Sequence, residues 1–144
     1  MRNLLSIILL GIVLLTGCDS DSSLSFSEES EDQLNKDVQS FFHGVKNDNG
    51  VHLYFDNHNK AIHVYLNGSN VVQDEKVNYF TDFDVEADGE TLRLIYESDE
   101  AIDYSDQSLK HERFYKVNVD NSYETIRIFH NGEESHFGTI SGNS

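Results

Sequence analysis

Proline and tryptophan are absent from the 144 residues, and cysteine and methionine occur once each. A single thiol excludes an intrachain disulfide framework and any dithiol redox pair. Cations are scarce. Ten Lys and Arg stand against 26 Asp and Glu, a formal charge of −16 with neutral histidine. Nucleic-acid affinity comes from neutralising phosphates with Lys and Arg, so this balance argues against a nucleic-acid partner. There is no His-Glu-x-x-His pair, no Gly-x-Ser-x-Gly elbow, no phosphate-cradling glycine loop and no dinucleotide fingerprint. No low-complexity tract or solenoid-period repeat divides the chain, whose length suits one domain with a core that needs no disulfides. No apolar run after residue 15 is long enough to span a bilayer.

What is present begins at the N-terminus. Met1-Arg2-Asn3 is a short positive end, and Leu4 to Leu15 is apolar except for Ser6 and Gly11. A positive start, a short apolar run and small residues before a cut form the layout of a secretory signal. Twelve helical residues reach only about 18 Å, short of a hydrocarbon core of about 30 Å, so a transient span followed by cleavage is expected. Leu15-Thr16-Gly17-Cys18 resembles the lipobox of bacterial lipoproteins. The resemblance covers residues 1–18 and no domain family beyond them. It implies cleavage between Gly17 and Cys18, a diacylglycerol on the Cys18 sulfur and acylation of the new amino terminus. Two or three acyl chains, at about 0.8 kcal/mol per buried methylene, hold a protein firmly on a membrane. The implied location is the outer face of a cell membrane. Asp19 resembles an inner-membrane retention signal in a Gram-negative host and carries no such meaning in a Gram-positive one. The abundance of Asn, Ile and Tyr leans towards an AT-rich genome and the latter.

Cleavage would remove Arg2 and no acid, leaving nine basic and 26 acidic residues, a charge of −17. The acyl chains must then hold the protein despite repulsion from anionic lipid. Residues 18–29 read as the lipidated cysteine with a flexible acidic tether. Residues 30–140 read as the single globular domain, and 141–144 as a polar tail.

Ser30 and Gln33 have capping-box spacing, and Leu34, Val38, Phe41, Phe42 and Val45 follow at helical intervals. This predicts one helix ending at Asn47-Asp48-Asn49-Gly50. The period then becomes two. Pairing Asp56 with Ala61 across Asn57–Lys60 sets Phe55 on Ile62, Leu53 on Val64 and Val51 on Leu66. In the next unit Asp88-Gly89 is a two-residue turn signal, and pairing Ala87 with Glu90 sets Val85 on Leu92, Phe83 on Leu94 and Asp84 on Arg93. In a third unit Asn121-Ser122 turns the chain, with Val117 on Ile126 and Tyr115 on Ile128, and Asn131-Gly132 turns it again, with Ile126 on Phe137. The expected fold class is therefore α+β: one N-terminal helix, then six or seven antiparallel strands in sequential hairpins, as an open sheet covered by the helix or as a small barrel.

Chemistry-bearing residues are few. His52 and His63 are diagonal neighbours on the outer face of the first hairpin with Asp56 nearby, the best local candidate for a metal, though zinc wants three or four ligands. Asp84-x-Glu86-x-Asp88-Gly89 starts like a calcium loop but has Ile95 where the bidentate Glu belongs. Asp82, Asp84 and Glu86 nevertheless share one side of their strand. Tyr54, Tyr65, Phe114 and Phe129 fall on the second faces of their strands. They are either a second packing layer or an exposed recognition surface. No cofactor is expected. The functional expectation is a membrane-anchored, non-enzymatic module that binds a protein or envelope component. A lipid-anchored hydrolase or metal-dependent enzyme and a small-ligand carrier are the alternatives, separable by whether the fold shows convergent His and acids or an apolar cavity.

Overall fold

The computed structural model describes residues 23–102 and 106–143. Strands hold 51% of them and helix 10%, so the protein is mostly β rather than α+β. The chain runs β1 (Ser25–Glu29), a 3-10 turn (Glu31–Gln33), α1 (Lys36–Gly44), β2 (Gly50–Asp56), β3 (Ala61–Asn67), β4 (Val77–Asp88), β5 (Thr91–Ala101), β6 (Glu112–Asn118), β7 (Thr125–His130), β8 (Glu133–Glu134) and β9 (Ile140–Gly142). A five-stranded sheet has the order β1-β6-β3-β2-β9, and a four-stranded sheet has the order β4-β5-β7-β8. Both are mixed, because β9 runs parallel to β2 and β7 parallel to β5.

The two sheets stack over one core. Val51, Leu53, Ile62, Val64, Leu66, Tyr115 and Val117 come from the first sheet. Phe80, Phe83, Leu92, Leu94, Tyr96 and Ile128 come from the second. The Phe83 and Tyr115 rings stack across the gap at 4.0 Å, with the Phe26 ring edge-on to Phe83 at 5.2 Å. The other face of the five-stranded sheet carries α1. Leu34, Val38, Phe42 and Val45 pack there on Tyr54, Tyr65 and Phe114. Strand β3, central in its sheet and covered on both faces, is buried along its whole length. The result is three layers: helix, sheet, sheet.

Each departure from the sequence expectation has a physical reason. The helix does not begin at Ser30. Gln33 does reach back to the Ser30 N–H at 2.9 Å, but it closes only a 3-10 turn. Leu34 is extended, and Asn35 restarts the helix by accepting the Val38 N–H at 3.0 Å. Asparagine is among the best N-caps, so the break is encoded locally. Residues 25–29, expected in the tether, form β1 along β6, and residues 140–142 of the expected end and tail form β9 along β2.

The β2–β3 register is the expected one at every pair from Val51↔Leu66 to Asp56↔Ala61. The β4–β5 register is shifted by two: Asp88 faces Thr91, Val85 faces Leu94 and Glu86 faces Arg93. The turn residues are Gly89 and Glu90, and Gly89 at φ 60° takes the first central position, the glycine position of a type II′ turn. A shift of two leaves every side chain on its expected face. The β6–β7 hairpin does not form. β6 pairs with β1 and β3, while β7 crosses to the other sheet and pairs with β5. Residues expected beside one another, Val117 with Ile126 and Tyr115 with Ile128, instead belong to opposite walls of the core. The β7–β8 turn at Asn131-Gly132 forms, but the ladder stops at Phe129↔Glu134 and does not extend to Ile126 and Phe137.

Candidate binding pocket

Under the helix, β2 and β3 place His52, Asp56 and His63 on one face, and all three are buried. They do not converge on a metal. His52 accepts the Thr139 N–H at Nδ1 (3.0 Å) and faces the Asp48 carbonyl through Nε2 (2.8 Å), so both ring nitrogens fasten neighbouring chain. Asp56 collects amides from three parts of the molecule. Asn143 Nδ2 donates to one oxygen at 3.0 Å, and Asn59 Nδ2 (2.8 Å) and Asn35 Nδ2 (3.4 Å) donate to the other. The Asn59 bond is the main reason its carboxyl is held below the ordinary 3.8, against the opposing effect of burial. His63 Nε2 lies 3.8 Å from Asp56, and neither ring nitrogen of His63 has a hydrogen-bond partner among the described residues. Burial pushes the His63 pKa down, while Glu29 and Asp56 push it back up. Among the described residues no three His, Cys, Asp or Glu are grouped to hold a metal, and this covers Asp82, Asp84 and Glu86.

The four aromatic candidates do not form one surface. Tyr54, Tyr65 and Phe114 are buried beneath α1, where the Tyr65 and Phe114 rings stack at 4.7 Å and Phe42 closes on both. They are a second core. Tyr65 donates its hydroxyl to Glu112, and burial with that bond raises its pKa far above the ordinary tyrosine range. Phe129 is on the opposite outer face of the molecule, half-buried, with the Arg93 guanidinium 4.3 Å above its ring. Gly17 and Cys18 lie outside the described residues, and no described helix is long and apolar enough to cross a membrane.

A cavity of about 510 Å³ opens at one end of the sandwich, between the β2–β3 turn and the β6–β7 connection. That volume is within the range of pockets for small ligands. Its walls are the core's incompletely covered margin: Phe55, Val119, Tyr123 and Ile126, all half-buried, and the buried Ile62. Its rim is polar, with Asn57, Lys60, Asp120, Asn121 and Ser122.

The rim is held in place. The Val119 N–H donates to the Lys60 carbonyl at 3.1 Å, joining the two loops, and Lys60 takes a left-handed φ of 49° to close its turn. Asn57 is clamped to Asn143 by its own N–H (2.8 Å) and its side-chain amide (2.7 Å). The Tyr123 hydroxyl donates to Asp120 at 2.6 Å, and that bond is the main cause of a phenol pKa pushed up to about 12. A rim fixed by its own hydrogen bonds costs little to order on binding.

Sequence reading missed this pocket because its walls come from β2, β3, β7 and the β6–β7 connection, and the expected β6–β7 hairpin would have closed that connection into a tight turn within one sheet. The available signal was two polar turns, 57–60 and 119–123, each following an apolar strand. No protein-family model, curated protein or solved structure matches this chain.

Proposed function

We propose that this chain is a lipid-anchored, extracytoplasmic binding domain whose ligand enters the end pocket of the sandwich. The reading of Cys18 as the lipidated residue rests on the charged start, the short apolar run and Leu15-Thr16-Gly17-Cys18. The reading of the domain as a binder rests on one observation: a pre-formed pocket of about 510 Å³ with apolar walls and a hydrogen-bonded polar rim. Pre-formed, mostly apolar concavities with a few placed polar groups are the usual form of small-ligand sites.

The direction of chain entry supports a link between anchor and pocket. Ser25 pairs with Asn118, which also pairs with Ala61, so β1 enters the sheet at the pocket end, and Leu24 packs on the core there. Seven residue steps separate Cys18 from Ser25, and extended chain spans at most about 25 Å over that length. A lipid on Cys18 therefore keeps the pocket mouth near the bilayer surface and the opposite end farther out.

The anchor is tested by membrane fractionation of cells expressing the full chain with Cys18 or with Cys18→Ala. The wild type is expected in the membrane fraction and the variant outside it. Equal membrane recovery of both would sink the anchored reading.

A further inference from the structure

We propose that the ligand of the end pocket is a zwitterion with an apolar body, its acid group held by Lys60 and its ammonium by Asp120. The proposal rests on the reading of this pocket as the binding site. It begins from the charges on the rim. Lys76, Arg93, Lys110, Arg113 and Arg127 each lie within 4.0 Å of a carboxylate. Among the described residues Lys36, Lys46, Lys60 and Lys116 have no such partner, and of these four only Lys60 lines the pocket. Asp120 stands on the adjoining loop, its position fixed by the bond from Val119 to the Lys60 carbonyl. One Asp120 oxygen takes the Tyr123 hydroxyl, and the other is left for a donor. Lys60 and Asp120 thus share a rim without pairing with each other.

That arrangement selects by charge. A ligand carrying only an acid group is attracted by Lys60 and repelled by Asp120, and one carrying only an amine meets the reverse. A molecule with both satisfies both, and its apolar part covers Phe55, Ile62, Val119 and Ile126. Uncharged ligands of the same shape leave both rim charges facing water and gain only the apolar contact. The same chemistry occurs in a free apolar dipeptide and in the ethanolamine headgroup of a phospholipid, and the test separates them.

The full mature chain, residues 18–144 with Cys18→Ser to keep it in solution, is titrated by NMR. The probes are leucyl-leucine, its N-acetyl form, its C-terminal amide, and short-chain dihexanoylphosphatidylethanolamine below its micelle concentration. Signals of Ile62, Val119 and Ile126 are expected to move with at least one of the two zwitterions, and the one that moves them names the source. Blocking either charge of the dipeptide, or making Lys60→Ala or Asp120→Asn, is expected to weaken zwitterion binding about five- to tenfold, the size of one charged hydrogen bond at a partly wet rim. Lys60→Ala should not weaken the amide and should raise its affinity, because that probe has no acid group to lose and its ammonium no longer meets a like charge. Both positions are exposed, and unchanged spectra away from the pocket show that the variants fold. Pocket binding that ignores both charges and both substitutions overturns the zwitterion while leaving the pocket standing. No shift with any probe overturns both.

Discussion

Replacing Asp56 by alanine is expected to cost about 3 kcal/mol, far more than an ordinary acidic position in so acidic a chain. The side chain is 3% exposed and fastens the helix N-cap, the β2–β3 turn and the C-terminal strap through Asn35, Asn59 and Asn143. Two of the bonds are 3.0 Å or shorter, and hydrogen bonds to a charged group contribute about 1.5–3 kcal/mol each. Asn59 is exposed and rehydrates when released, so the lower figure applies, giving about 3 kcal/mol for the pair. The assay is urea unfolding of the wild type and Asp56→Ala at several pH values, with the exposed Glu124→Gln as control. Because the folded carboxyl titrates below the ordinary 3.8, its contribution is complete above that value. It is lost as pH falls through the lower folded pKa. The two stabilities should therefore differ fully at pH 7, still differ at pH 4, and converge only in stronger acid. A loss under 0.5 kcal/mol at pH 7, or a gap that closes between pH 7 and 5, would refute the assignment of Asp56 as the junction.

Phe42→Ala removes the ring that closes on Tyr65 and Phe114, and it should cost about 3–5 kcal/mol by thermal or chemical unfolding. Near-neutral stability would mean the helix does not pack on that face. Gly142→Ala would put a Cβ 2.8 Å from the Phe55 carbonyl oxygen, so it should loosen the strap and speed amide exchange at Asn143, whose N–H bonds to that oxygen. Protection equal to wild type would contradict the close approach. Asp120→Asn removes the main cause of the high Tyr123 pKa, so the Tyr123 phenol should titrate nearer 10.0 than 12 in ultraviolet absorbance, with Tyr123→Phe identifying its share. An unmoved transition would show that the Tyr123–Asp120 bond does not form.

The apolar alternation told which face of each strand is buried, and it was right about faces almost throughout. It could not tell whether a buried residue meets its neighbour along the sheet or across the core. Tyr115 and Ile128 illustrate this: both point inward, yet one is in each sheet. The first hairpin was readable down to its register because a single polar turn joins two strands of equal length. The second kept its faces but lost its register, because Gly89 is the first turn residue and not the second. The parallel pairings of β7 and β9 left no local trace, since their partners are far away in sequence. The alternation alone left Tyr54, Tyr65 and Phe114 open between a packing layer and an exposed surface, and the helix stripe that covers them makes them a packing layer. The pocket was invisible because it exists only where two sheets part.

The most direct test of a pocket end tied to the membrane is a distance measurement on the lipidated protein bound to vesicles. With Cys18 acylated, a cysteine introduced at Asn121, on the pocket rim, or at Val72, exposed in the β3–β4 loop at the opposite end, is the only free thiol for a fluorescent donor. Energy transfer to acceptor-labelled lipid is expected to be stronger from position 121 than from position 72. Equal transfer, or stronger transfer from position 72, would contradict the account.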